Sequence, residues 1–441
     1  MEDADRSLLD ERSPRAQARR RELLRGRTIA VVGVGYPTKR FIYERAAELG
    51  VRQVLIDTPG HWGASLVHAG VAHAFLPADL SVPVPQQVDQ VLEQLGTLPS
   101  PPDGICTFWE DSVPVIARVA EKLGLPGNAP AAVDAARSKR LTMVSTSRAG
   151  LPTPRFSAIA DADELPDVAR AVGFPAVIKP EFGCSAIGCY RVDSVRDLED
   201  AYHDILPVLP SLEPIFAEYG TDLLLEQYLD GTEFDIDILL WEGECRYAGV
   251  SENWPTNEPY FFETGLHAPS AFPPDQLAEV VDLSVNATRS LGLDRGAFHV
   301  EAKFTSEGPR IIEVNARMGG TIVRDANLML HGVDFVEEHL MASTGIPINP
   351  LASEEAMGGI SNILLYAERT GRIVPLDWVG PIASDPRVFF AEANVHEGDQ
   401  VIAAADGFPT ELLEVALRDV DAPTAVASIR ELTEGLSITY R

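Results

Sequence analysis

The sequence predicts an α/β protein built from several units: a Rossmann-like N-terminal unit, a smaller strand-rich unit and an α+β unit. Three observations predict this. The length, 441 residues, exceeds what one core of ordinary size holds. Residues 28–57 read as strand, glycine turn, helix, strand, the opening of a doubly wound parallel sheet. From Phe156 onward the pattern changes to strands and short helices.

Taken in order, residues 1–26 are charged, lack the apolar core of a secretion signal, and read as a charged helix or arm. TIAVVGV (28–34) is a buried strand, Gly35 and Pro37 turn the chain, and a helix leads to Gly50 and a second strand at 53–57. Asp57 ends that strand where a dinucleotide-binding unit carries an acid. The turn is GVGYPT, however, with Thr38 where a third glycine is needed, so a structural Rossmann-like unit is expected over an NAD site. A strand at 104–108 runs into Trp109-Glu110-Asp111, then a helix at 112–123 and a helix carrying Ser138-Lys139-Arg140. GLPTP (150–154) reads as a linker. FPAVIKP (174–180) is a strand ending in a lysine, followed by a small-residue loop. Residues 223–241 read as strand, turn at Asp230-Gly231, strand; 298–304 and 309–315 form a hairpin around Ser306-Glu307-Gly308. The expected division is an arm at 1–26, then units at 27–135, 136–230, 231–346 and 347–441.

A formal charge of −30 argues against nucleic-acid and anionic-membrane partners. No apolar run is long enough to span a bilayer. Cys106, Cys184, Cys189 and Cys245 lack zinc-ligand spacing, and reduced thiols in a cytoplasmic protein are the expectation.

The hairpin HVEAKFTSEGPRIIEVNARMGG carries the strongest chemical signal. Residues two apart on a strand share a face, so Glu313 and Asn315 project together, and pairing brings Glu301 beside them. Two carboxylates and an amide oxygen are hard donors suited to Mg²⁺, which takes its remaining ligands from phosphate. Arg317 follows, placed to meet an oxyanion or a transferring phosphoryl group. Lys179 beside Gly183, Ser185 and Gly188 forms a candidate phosphate cradle, with Lys139 a second cation. Glu226, Tyr228 and Leu229 lie on a strand end that can face an adenine edge, and Glu233 can accept from ribose hydroxyls. Singly, each is as well explained as a solvated strand residue; their order along the chain raises them together.

These residues resemble the ATP-grasp superfamily, in particular its carnosine synthase and bacterial L-amino-acid ligase branch. The likeness rests on TFWEDSVPVIARVAEKLGLPG, IKPEFGCSAIG, LLLEQYLDGTEFDIDILL, VSENWPTNEPYFFETGLHAPS and the metal hairpin, spanning about 104–320. It implies an ATP-grasp fold: a Rossmann-like N-terminal domain, a lid subdomain and a C-terminal catalytic α+β domain, with ATP between the last two. It implies that Lys139 and Lys179 hold phosphates, that Glu226 and Leu229 contact adenine and Glu233 the ribose. Glu301, Glu313 and Asn315 would bind two Mg²⁺ ions, with Mn²⁺ an alternative, and Arg317 would stabilise a tetrahedral intermediate. The implied activity is carboxylate–amine ligation of two amino acids through an acyl-phosphate; biotin-carboxylase-like carboxylation, ligation of another acid and, more remotely, a nicotinamide-dependent oxidoreductase are the alternatives. Dimers are common in the superfamily, so a homodimer is an expected state. For the two small-molecule substrates, Glu110, Glu263, His267, Arg317 and Arg324 are candidate contacts: Glu110 and Glu263 to an ammonium, Arg324 to a carboxylate and Arg317 to the oxyanion. Local turn hydrogen bonds for Glu110 and Glu263, and an ion pair with Asp325 for Arg324, explain those residues equally well.

Overall fold

The computed structural model describes residues 7–183, 186–207, 209, 220–320, 322–436 and 438–441. The strands Thr28–Val32 (β1), Arg52–Asp57 (β2), Ala74–Pro77 (β3) and Gly104–Cys106 (β4) form a parallel sheet in the order β3-β2-β1-β4. Alternate residues of β1 serve opposite cores. Ile29 and Val31 pack with Ile42 and Tyr43 of helix Arg40–Glu48, while Ala30 and Val32 pack with Val88, Val91 and Val119 on the other side. Helices thus cover both faces, which is why β1 is apolar without alternation. The Asp57 carboxylate accepts from the backbone N–H of Val34 at 2.6 Å and of Thr58 at 2.7 Å. It ties the turn after β1 to the end of β2, so its hydrogen-bonding capacity is engaged by backbone.

Phe156–Ile159 (β5), Ala176–Pro180 (β6), Tyr190–Val192 (β7) and Leu223–Gln227 (β8) form an antiparallel sheet, β5-β8-β6-β7. Helices Leu165–Val172 and Val195–Ile205 cover one of its faces. The largest sheet has eight strands. Thr232–Trp241 (β9), Glu244–Asn253 (β10), Gly265–Ala268 (β11), Gly296–Thr305 (β12), Gly308–Asn315 (β13) and Gly359–Tyr366 (β14) are joined beyond a short ribbon, Gly371–Arg372 (β15) with Gln400–Val401 (β17), by Val388–Ala393 (β16) and Glu411–Asp419 (β18). Its order is β13-β12-β9-β10-β11-β14-β18-β16, so it runs continuously across residues 346 and 347.

The run 223–241 reads in sequence as strand, turn, strand, yet β8 and β9 enter different sheets. Gly231, at φ +84°, makes the crossing. A Cβ there would stand 2.0 Å from the carbonyl oxygen of Phe304, so only glycine lets the chain pass. The expected single helix around residue 138 also divides. Pro130–Arg137 ends and Lys139–Arg148 begins at Ser138, whose extended backbone and side-chain oxygen cap the second helix by accepting from Leu141 N at 3.0 Å. The charged arm contains helix Pro14–Leu24, docked on helix Phe335–Ser343. Arg20 donates to the carbonyls of Leu9 and Asn349 at 2.8 and 2.7 Å, and Arg21 pairs with Glu337 at 2.7 Å. Among the described residues no helix is long and apolar enough to cross a membrane.

Candidate active site

β9 and β12 divide their side chains between two environments with period two. Phe234, Ile236 and Ile238, with Phe298, Val300 and Ala302, pack against Val280, Leu283 and Ala287 of helix Pro274–Ser290. The intervening residues, Glu233, Asp235, Asp237, His299, Glu301 and Lys303, make the opposite face polar. Glu233, Asp235, His299, Glu301 and Lys303 line a cavity of about 520 Å³ between this face and the β5–β8 sheet. From the β13 edge come Glu313, Asn315 and Arg317; from the other sheet come Lys179, Glu226, Tyr228 and Leu229; Lys139 and Gly183 complete this end.

Glu301 stands opposite Glu313 on one side and Asp235 on the other. A β-bulge beside Glu301 leaves Ile312 as an extra residue, so Ile312 and Glu313 both face the cavity. The Glu301 carboxylate has no hydrogen bond or ion pair among the described residues. Burial first, and the Glu313 charge next, hold its pKa well above the ordinary carboxylate range. The charge balance of this face is met from within: burial disfavours the His299 imidazolium, yet Asp235 and Asp237 together hold its pKa up to about 10, with Asp237 at 2.9 Å. Asp235 rises to about 6 through burial. Two carboxylates side by side, one without a partner and with an amide oxygen nearby, fit a divalent cation. No three His, Cys, Asp or Glu side chains among the described residues close into a cage. That incomplete donor set leaves coordination sites for phosphate oxygens.

Each candidate cation in the cleft rests on a carboxylate. Lys179 lies 2.9 Å from Glu226, Lys303 3.5 Å from Glu233, and Lys139 3.3 Å from Glu313 and 3.1 Å from the Gly183 carbonyl. Lys139 is aimed by its helix start. Glu181 accepts from the Ser138 hydroxyl, and pairs with Arg140 at 3.0 Å, while its carbonyl accepts from Lys139 N. Tyr228 donates to Glu258 at 2.7 Å with Arg191 stacked over its ring at 4.5 Å. Arg317 Nε meets Glu110 at 2.6 Å, and Arg137 meets the same carboxylate at 3.0 Å. Burial alone would raise the Glu110 pKa; the two guanidiniums outweigh it and leave it lowered.

The other end of the cavity is walled by Phe262, Tyr366 and Phe408, with Glu263, Glu411 and Glu414 between them. Burial and neighbouring carboxylates raise Glu263 to about 7 and Glu414 to about 8.

Several expected residues fall elsewhere. His267 is off the cavity: Leu266 faces it, so its strand neighbour points away, to Glu252 at 3.5 Å and Trp254 at 3.3 Å. Arg324 is fixed by Asp334 at 3.0 and 3.1 Å and by Asp325 at 3.2 Å, so an ion-pair network holds it, not the cavity. Gly188, at φ +75°, packs on Pro180 and Leu209 and serves the turn. Ser185, with Cys184 and Thr321, lies outside the described residues. Conversely, Asp235 and His299 were not singled out in the sequence. Counting by twos from Glu233 and from Glu301 finds both.

Comparison with known proteins gives the family. A family model described as an ATP-grasp domain matches residues 172–325, and one described as an ATP-grasp N-terminal domain matches 43–127. The chain is similar to carnosine synthase 1 of Gallus gallus, 35% identical over 339 residues, covering 74% of this chain and 36% of that protein. It is also similar to the alanine–anticapsin ligase of Bacillus subtilis strain 168, 25% identical over 249 residues, covering 54% and 52%. The chain spans about two fifths of the length of the carnosine synthases it matches. The solved structure of an L-amino acid ligase from Bacillus licheniformis shares the fold, with a TM-score of 0.78 at 23% identity over 95% of this chain and 99% of that one.

Proposed function

Because this chain belongs to the ATP-grasp superfamily, we propose that it is a ligase that uses ATP to activate a carboxylate as an acyl-phosphate and transfers the acyl group to an amine. Two amino acids are the proposed substrates, and a dipeptide or dipeptide-like amide, ADP and phosphate the products. The observation that carries this reading is Glu301, without a partner among the described residues, beside Glu313 and Asn315 in a cleft between two sheets, with Lys139 3.3 Å from Glu313. The likeness to an alanine–anticapsin ligase and a carnosine synthase supports amino acids as substrates.

In this reading the β5–β8 sheet is the lid and the β9–β13 region the catalytic platform. Glu226, Tyr228 and Leu229 face the adenine, and Glu233 the ribose. Lys139 and Lys179 exchange their carboxylate partners for phosphate oxygens when nucleotide enters. Glu301, Glu313 and Asn315 would hold two Mg²⁺ ions, which when bound neutralise charge on the phosphates so that a carboxylate can attack in line. Arg317, aimed by Glu110, offers its guanidinium to the oxyanion that forms as the amine adds to the acyl carbon. The apolar wall of Phe262, Tyr366 and Phe408 keeps water from the acyl-phosphate, and Glu263 receives a substrate ammonium.

Hydroxylamine in place of the amine tests the reading. With ATP, Mg²⁺ and a panel of amino acids, an acyl hydroxamate is expected for at least one acid; none across the panel counts against it. Glu313→Ala should reduce ADP release about a thousandfold with an unchanged circular-dichroism spectrum, since it removes a carboxylate that would hold the metal ions. Turnover near that of the unaltered protein would remove the metal assignment.

A further inference from the structure

The turn after β1 brings a lysine to the candidate site that neither the metal hairpin nor the nucleotide cleft accounts for. Lys39 follows Gly35 by four residues, and its side chain folds back over that glycine. A Cβ on Gly35 would stand 2.8 Å from Lys39 Cδ and 2.9 Å from Trp109 Cε3. Gly35 sits at φ +72°, so both its conformation and its missing side chain make room for the lysine stem against the indole. Trp109 is in turn stacked edge-on with Tyr36 at 4.9 Å. The next residue after the indole is Glu110, which holds Arg317 at 2.6 Å.

The Lys39 ammonium has no carboxylate or carbonyl partner among the described residues. Burial first, and Arg317 second, pull its pKa down to about 8; no acid offsets them. Its neighbour Arg317 is paired with Glu110, a carboxylate that Arg137 shares. A cation without an acid partner among the described residues thus stands beside another cation in a chain whose formal charge is −30. A half-buried ammonium held beside a guanidinium is unfavourable unless an anion joins them.

We propose that Lys39, with Arg317, binds the free carboxylate of the amine-donating amino acid. This rests on the ligase reading above and extends it. In forming an amide, the acyl donor uses up its carboxylate and the amine donor its ammonium. The amine donor keeps its carboxylate, and that anion must lie within one amino acid's length of the acyl carbon. Arg317 is the group placed at that carbon, and Lys39 is the neighbouring cation with capacity to spare. Arg324, the other candidate for this role, is fully engaged by Asp334 and Asp325. The phosphate-facing lysines, Lys139 and Lys179, approach the cleft from the other sheet and the capped helix instead.

Two measurements on the full-length protein test this. Limited acetylation with acetic anhydride, read at Lys39 by peptide mass spectrometry, reports occupancy without turnover. A mixture of the common L-amino acids should lower Lys39 labelling at least threefold, and the matching mixture of amino-acid amides should not. In steady-state assays with an active substrate pair, Lys39→Met should raise the KM of the amine donor at least tenfold relative to that of the acyl donor. The variant should also accept the amide of the amine donor as well as the acid, and Lys39→Arg should restore the preference for the acid. Equal labelling under all conditions together with an unchanged KM ratio in Lys39→Met overturns the proposal while leaving the ligase reading intact. Protection of Lys39 in a protein that never consumes ATP with any acid and amine would keep the anion site and remove the ligase reading.

Discussion

Glu301 faces Glu313 across one strand pair and Asp235 across the other, with its own oxygens unpartnered among the described residues. Such a group destabilises the free protein, and folds retain that cost where a ligand later offsets it. Glu301→Gln should therefore raise the melting temperature in metal-free buffer, by about 1 kcal/mol of stability, while lowering ADP release at least a hundredfold. Thermal melts with chelator and a coupled ADP assay check the two effects; loss of stability in the variant would mean that Glu301 serves the fold. At this scale the sequence was most informative where chemistry follows strand alternation. Glu301, Glu313 and Asn315 could be placed on one face by counting, and they line the cavity together. Lys39 and the Glu411–Glu414 wall could not be found that way. Their neighbours come from segments hundreds of residues apart, which no local period encodes.

At the scale of elements, the docking of helix Pro14–Leu24 on helix Phe335–Ser343 ties the N-terminal arm to a segment more than three hundred residues later. It also encloses Glu338, which is 1% exposed and has one carboxylate oxygen without a hydrogen bond. Burial first, then Glu337, raises its pKa from 4.5 to about 8. A carboxyl raised in the folded state gives stability that is complete below about pH 4.5 and is lost as pH climbs through about 8. Glu338→Gln, neutral at every pH, should remove that loss, making the variant more stable than the parent at pH 9 by on the order of 5 kcal/mol and nearly equal at pH 5. Urea denaturation at the two pH values measures it, and a difference that does not grow with pH would contradict the cause given. Element boundaries show where sequence patterns run out. The hairpin 296–315 was legible because both strands and the turn are local. The division of β8 from β9 was not, because Gly231 separates two sheets through a close approach to the distant Phe304 carbonyl.

Across the whole molecule, three sheets converge on one polar face. The parallel N-terminal sheet delivers Glu110 and Lys39, the β5–β8 sheet delivers Lys179 and Glu226, and the eight-stranded sheet supplies the carboxylates. A chain with a formal charge of −30 thus gathers Lys139, Lys179, Lys303, Arg317 and Lys39 around one site. Each but Lys39 is matched to an acid, so an anionic substrate can enter by exchange of partners. The sequence read the α/β class and the N-terminal Rossmann-like pattern from apolar runs and glycine turns. It did not read how far the third sheet extends, because β14, β16 and β18 join it through pairings to strands far away in the chain.

In the proposed reaction the cleft moves the terminal phosphoryl group of ATP onto a substrate carboxylate. Oxygen tracing tests it most directly. An amino acid labelled with ¹⁸O in its carboxylate is incubated with ATP, Mg²⁺ and an amine acceptor, and the inorganic phosphate is examined by mass spectrometry. Transfer of one ¹⁸O atom into phosphate for each amide formed is the predicted result. Amide formation that yields unlabelled phosphate would contradict it.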